Sequence, residues 1–199
     1  VALTDHGNIK GGLTFHKMAR KAGIKPIIGA EVYVAPKSRF EKPDKANDEL
    51  NYNHLVLLVQ NDEGYRNLSE LISLSFTEGF YRKPRVDKEV LAKYKDGLVC
   101  LSACIQGEIP YLLLRNRREQ AYEAAKWYRE LYGDNYFIEI QNHGLPMQVE
   151  VLPQLKELSK DLSIPLVVTN DVHYLEKTDS DAREVLICIQ TNNVLSNPE

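Results

Sequence analysis

The chain has 199 residues, enough for one generous core and less simply for two. With 43% apolar and 27% charged residues it has the composition of an ordinary globular protein. Its net charge of −3 excludes a general attraction to nucleic acid or to an anionic membrane, so a phosphate-bearing partner must be held by a local site or by neighbouring domains.

In chain order, short apolar runs alternate with helical patterns. Strands are predicted at residues 1–4, 26–34, 54–60, 97–102, 136–141 and 165–170. Between them, Tyr65, Leu68, Ile72 and Phe76 mark a helix, and Asp87 is placed to cap the start of another. Ala121, Ala124, Tyr128 and Leu131 mark a third, closed by Gly133. Leu152, Leu155 and Leu162 mark a fourth, and Ala182, Val185, Leu186 and Ile189 a fifth. The strands are solidly apolar rather than alternating, as when both faces are covered. The alternation predicts an α/β domain with a mainly parallel sheet or barrel. One break stands out. The strands at 26–34 and 54–60 are joined by a charged, proline-containing stretch, residues 36–53, with no helical period. That predicts a hairpin-like excursion with Glu31 and His54 side by side.

Three cysteines, Cys100, Cys104 and Cys188, form no disulfide framework and read as reduced, cytosolic thiols. No apolar run approaches the roughly 20 residues of a membrane helix. The first residue is Val rather than Met and already lies in a predicted strand, so the chain is expected to be a piece of something longer.

In α/β barrels and sheets, functional groups gather beyond the C-terminal ends of the strands. Those ends read Thr4-Asp5-His6, Glu31, Ser102-Ala103-Cys104, Gln141-Asn142-His143 and Asn170-Asp171-Val172-His173, with His54 at the return of the excursion. Four of the five histidines fall there, and only His16 falls on a helix. Imidazole, thiolate and carboxylate are the ligands that borderline divalent metals such as zinc take. The strand period of two predicts Asp171 and His173 on one face. It sets Asp5 and His6 on opposite faces, with His6 the favoured ligand and Asp5 its support. Cys104 reads either as a ligand or as a small buried hydrophobe. A nucleophilic pair of Cys104 with His54, His143 or His173 remains open beside the metal cluster. Arg82, Lys83 and Arg85, flanked by Phe80 and Tyr81, suit phosphate and base contact, or a solvated turn. There is no P-loop, no Rossmann glycine motif and no GxSxG elbow.

TDHGN, KPIIGAEVYVAP, NHLVLLVQNDEGYRNL, GFYRKPRVDKE, GLVCLSACIQGEIP, FIEIQNHG and IPLVVTNDVHY, followed by DAREVLICIQT, run in this order over essentially the whole chain. Together they resemble the PHP (polymerase and histidinol phosphatase) domain of bacterial replicative DNA polymerase III alpha subunits. The resemblance implies a distorted (β/α)7 PHP barrel, here lacking its first strand, with residues 1–199 a fragment of that domain. It implies up to three divalent metals (zinc, manganese or magnesium), and an incomplete set where the His-x-His of the first strand is missing. Motif by motif, the ligands would be His6, Glu31, His54, Cys104, Asp171 and His173, with His6, Asp171 and His173 at the catalytic centre. Asp5 and His143 would support them or meet substrate.

The activity implied is metal-dependent phosphoester hydrolysis, a 3′–5′ exonuclease proofreading a DNA primer end among other replicase subunits in the cytoplasm. Two further readings stay open. One is a catalytically silent scaffold that stabilises the polymerase and docks a separate exonuclease subunit. The other is a small-molecule phosphatase resembling histidinol-phosphate phosphatase, although GFYRKPRVDKE and ICIQT fit the polymerase branch better.

Overall fold

Each predicted strand is too apolar to leave a face in water, so the sheet has to be built with helices against it. The computed structural model describes residues 1–42 and 51–196, so part of the charged stretch 36–53 lies outside the described residues. Contacts divide the chain into two units, Val1–Thr169 and Asn170–Glu199.

Among the described residues, the first unit holds seven strands: β1 (Ala2–Leu3), β2 (Ile27–Val34), β3 (Asn53–Val59), β4 (Arg85–Val86), β5 (Leu98–Leu101), β6 (Tyr136–Ile140) and β7 (Leu166–Val168). They lie in the order β1-β2-β3-β5-β6-β7, with β4 also on β2. The β1–β2, β5–β6 and β6–β7 pairs are parallel, whereas β3 runs antiparallel to both its neighbours. The sheet curls as half of a barrel in a mixed α/β fold, as the resemblance implies.

The predicted excursion is a hairpin whose register pairs Glu31 with Val56 and Tyr33 with His54. Glu31 and His54 are therefore diagonal neighbours on one face, within reach of each other's side chains. The other face carries Ala30, Val32, Leu55, Leu57 and Cys100 into the main core, where α-helices cover them.

Those helices are α1 (Gly12–Lys21), α2 (Asp62–Thr77), α3 (Lys88–Lys93), α4 (Glu108–Leu113), α5 (Arg118–Tyr132) and α6 (Pro146–Leu162). Leu68 and Leu71 of α2, Ala121, Ala125 and Tyr128 of α5, and Leu155 and Leu158 of α6 are buried against the sheet. Asp87 caps α3 as predicted, its carboxylate accepting from the Val90 N–H at 3.2 Å. The α5 helix ends at Tyr132, with Gly133 following. α1 carries His16, the one histidine placed on a helix. One short helix and one strand go beyond the predicted elements: α4 is six residues long, and β4 has only two residues. Local periodicity has little to work on in segments so short.

Among the described residues, the second unit by itself holds a 3-10 turn at Lys177–Asp179 and helix α7 (Ser180–Thr191), over the fifth predicted apolar period. Glu176 and Asp179 cap the turn reciprocally, and Asn192 in the left-handed conformation ends the helix. Among the described residues no helix is long and apolar enough to cross a membrane.

Candidate metal centre

The hairpin register sets the site. From β2, Glu31 carries its carboxylate onto the inner face, where it is 5% exposed. His54, at the start of β3, is buried too, and its Nδ1 is in contact with Glu31 Oε1. The chain leaving β1 brings the third group. The Gly7 N–H donates to the Glu31 carbonyl at 2.9 Å and the Glu31 N–H donates to the Asp5 carbonyl at 3.1 Å, so the pairing continues past β1. This puts His6 Nδ1 at 3.6 Å from the same Glu31 oxygen. Gly7 is needed at that turn. Its φ is +64°, and a Cβ there would stand 2.8 Å from Pro84 Cγ.

One ligand atom from each of His6, Glu31 and His54 lies within 4.8 Å of the others. Cys104 adjoins the cluster without entering that group, its Sγ 3.6 Å from His54 Nδ1. The loop that carries it is closed by the Gly107 N–H donating to the Cys104 carbonyl at 2.8 Å, and His54 N–H donates to Gln106 at 3.0 Å. A buried carboxylate facing two imidazoles is stabilised by a cation held among them. Two nitrogens and an oxygen, with a sulfur beside them, form a donor set that fits a borderline divalent ion.

His6 faces Glu31, whereas the Asp5 carboxylate lies 3.4 Å from where a Cβ on Gly11 would be. His143, after β6, is held by Gln148 of α6. The buried Gln148 amide accepts from the His143 backbone N–H at 2.8 Å, so its Nε2 donates to His143 Nδ1 at 3.1 Å. The neutral ring then carries its proton on Nε2.

Asp171 and His173 belong to the second unit. The strand predicted at 165–170 ends at Val168, and Asp171 has a φ of 45°, so strand alternation does not relate the two. A turn does: His173 Nδ1 donates to the Asp171 carbonyl at 2.8 Å and lies 3.8 Å from its carboxylate.

The basic segment divides. Arg85 is 1% exposed, and its guanidinium donates to the carbonyls of Gly79 at 3.1 Å, Arg39 at 3.1 Å and Glu41 at 2.7 Å. Its proposed contact with nucleic acid is corrected, because a guanidinium already sharing three backbone carbonyls is not offered to a phosphate. Arg82 is exposed and Lys83 half-buried.

Four residues escaped the sequence reading. Glu139 is buried on β6, its N–H donating to Ser102 Oγ at 2.9 Å and its carboxylate accepting from Thr169 Oγ1. An acid inside YFIEI was its signal. Gln148 gave none. Tyr33 and Tyr52 each stand two residues from a cluster member, so the period of two could have placed them near it. Burial, then Tyr52, then the Glu31 charge push the Tyr33 hydroxyl up to about 12.

Residues 1–143 match the family model described as PHP domain. The chain is 53% identical over its whole length to the DNA polymerase III subunit alpha of Treponema pallidum, of which it covers 17%. It is 46% identical over 96% of its length to that of Borreliella burgdorferi, again covering 17%. Against that of Thermus aquaticus it is 45% identical over its whole length and covers 16%. The chain thus spans about a sixth of the length of these curated relatives.

Proposed function

The chain belongs to the PHP-domain family, and from that premise we propose that it is the PHP domain of a bacterial replicative DNA polymerase alpha subunit, hydrolysing phosphoesters at the 3′ end of DNA with bound divalent metal. The observation that carries the reading is the convergence of His6, Glu31 and His54 within 4.8 Å. Zinc, manganese or magnesium bound there supplies Lewis acidity toward a phosphoester oxygen.

The chain's own residues do the rest. Glu31 offers one oxygen between two imidazoles, and its burial keeps that charge from being screened. His54, buried behind the Cys104 loop, cannot swing into solvent, and Cys104 stands ready as a further ligand. His143, with Nδ1 occupied by Gln148, has an Nε2–H to donate to a phosphate oxygen. Asp171 and His173 are proposed as ligands on the TNDVHY motif alone. The primer 3′ end and other replicase subunits are the proposed partners.

The test is primer degradation by the whole protein in manganese or zinc. Glu31→Ala and, separately, His173→Ala are each expected to lower the rate by at least about a hundredfold, with polymerisation retained. An unchanged rate in Glu31→Ala would overturn the reading. A wild-type protein that polymerises and never degrades would favour the scaffold instead.

A further inference from the structure

Around the His6–Glu31–His54 cluster stands a set of rings that metal binding does not require. Tyr33 is 6% exposed, and its ring lies nearly parallel to the His6 imidazole, 6.0 Å between centroids and 12° between planes. Tyr52 meets Tyr33 edge-on at 4.8 Å and lies parallel to His54, at 5.9 Å and 5°. Tyr52 is only half-buried, and the His6 side chain is 43% exposed, so this side of the cluster is open. Lys83 holds its ammonium 5.6 Å from the centre of the Tyr33 ring. Its neighbour Pro84 packs on Gly7, which seats the Lys83 segment on the turn that carries His6. Among the described residues no carboxylate pairs with Lys83.

A half-exposed aromatic face and an available cation beside a candidate metal centre match a ligand that is flat at one end and anionic at the other. We propose that Tyr52 and Lys83 form a nucleotide subsite, with Tyr52 stacking on the base of the terminal nucleotide and Lys83 holding a backbone phosphate. Tyr33 is the buried ring behind them: it sets the tilt of Tyr52 and carries the ammonium on its face. A sugar phosphate would engage the lysine and leave Tyr52 without a role, so the subsite commits to a nucleic-acid strand end. This rests on the function proposed above and names the residues that hold the terminal nucleotide of its substrate.

The whole protein is given two single-stranded DNA substrates with the same terminal phosphodiester, one ending in an ordinary nucleotide and one in an abasic residue. Wild type is expected to remove the base-bearing residue about tenfold faster, the share a single stack supplies. Tyr52→Leu should bring the ratio of the two rates close to one, and Tyr52→Phe should keep it. Lys83→Gln should raise KM more than it lowers kcat and reduce the salt slope by about one.

A readout independent of hydrolysis is the quenching of a 3′-terminal 2-aminopurine on binding, which Tyr52→Leu should relieve. If neither substrate is cut but the quenching depends on Tyr52, the subsite stands and the hydrolase reading falls. If both are cut and the ratio is the same in wild type and Tyr52→Leu, the subsite is overturned and the hydrolase stands. A loss of both rates alike, with unaltered quenching, makes Tyr52 a support for His54 and also overturns it.

Discussion

Lys83 and Arg85 are two residues apart and carry the same charge, yet they sit in opposite environments. The Arg85 guanidinium is spent on the carbonyls of Gly79, Arg39 and Glu41, whereas Lys83 stands over a ring face. Replacing each by alanine should separate them. Arg85→Ala leaves the carbonyls of buried Gly79 and Arg39, and that of exposed Glu41, without their donor, at a cost of about 2–4 kcal/mol. Lys83→Ala should stay within about 0.5 kcal/mol, as surface changes do. Denaturant midpoints of the two variants at equal slope check this. An arginine and a lysine in a run of basic residues look alike in a sequence. Only the positions of their acceptors tell them apart.

Among the elements, the β2–β3 hairpin and the loop after β5 make the site. The loop turns back on itself so tightly at Gly107 that a Cβ there would stand 2.0 Å from the Ser102 carbonyl oxygen and 3.1 Å from that of Cys104. Gly107→Ala must therefore open the loop, and the Gln106 carbonyl that accepts from His54 N–H moves with it. We expect a loss of about 2–3 kcal/mol in unfolding free energy together with weaker metal binding. Unfolding and metal titration on the same variant would show it. Full metal affinity in a destabilised Gly107→Ala would show that the loop does not position His54. The hairpin was legible as an excursion, because a charged stretch replaced the expected helix. The antiparallel direction of β3 followed from that, and with it the neighbourhood of Glu31 and His54. By contrast, the strand before Asp171 was read too long. An apolar run shows where a strand is possible, and a backbone in the left-handed conformation three residues past Val168 leaves no mark in it.

At the level of the whole molecule, the core determines how the fold responds to alkali. Burial first, and then neighbouring charge, holds the hydroxyls of Tyr128, Tyr132 and Tyr136 well above their usual range, and Tyr33 is pushed up to about 12. In the unfolded chain these groups ionise near 10. Above that pH the folded state keeps protons that the unfolded state has lost, so stability falls as pH rises. Tyr33 contributes in the same direction, its share being lost between pH 10 and about 12. The denaturant midpoint should drop across this window, with the tyrosinate absorbance of the buried rings appearing only on unfolding. Ionisation of all eleven tyrosines before unfolding would contradict it. By itself the sequence determined the order of most strands and helices, the α/β class and the types of the candidate ligands, because apolar spacing and strand-end chemistry are local. Which groups meet was left to tertiary structure. The diagonal of Glu31 on His54, the approach of His6, the withdrawal of Arg85 and the rings beside the cluster all depend on register between strands far apart in the chain. Pairing and burial set that register, and no window along the sequence contains both partners.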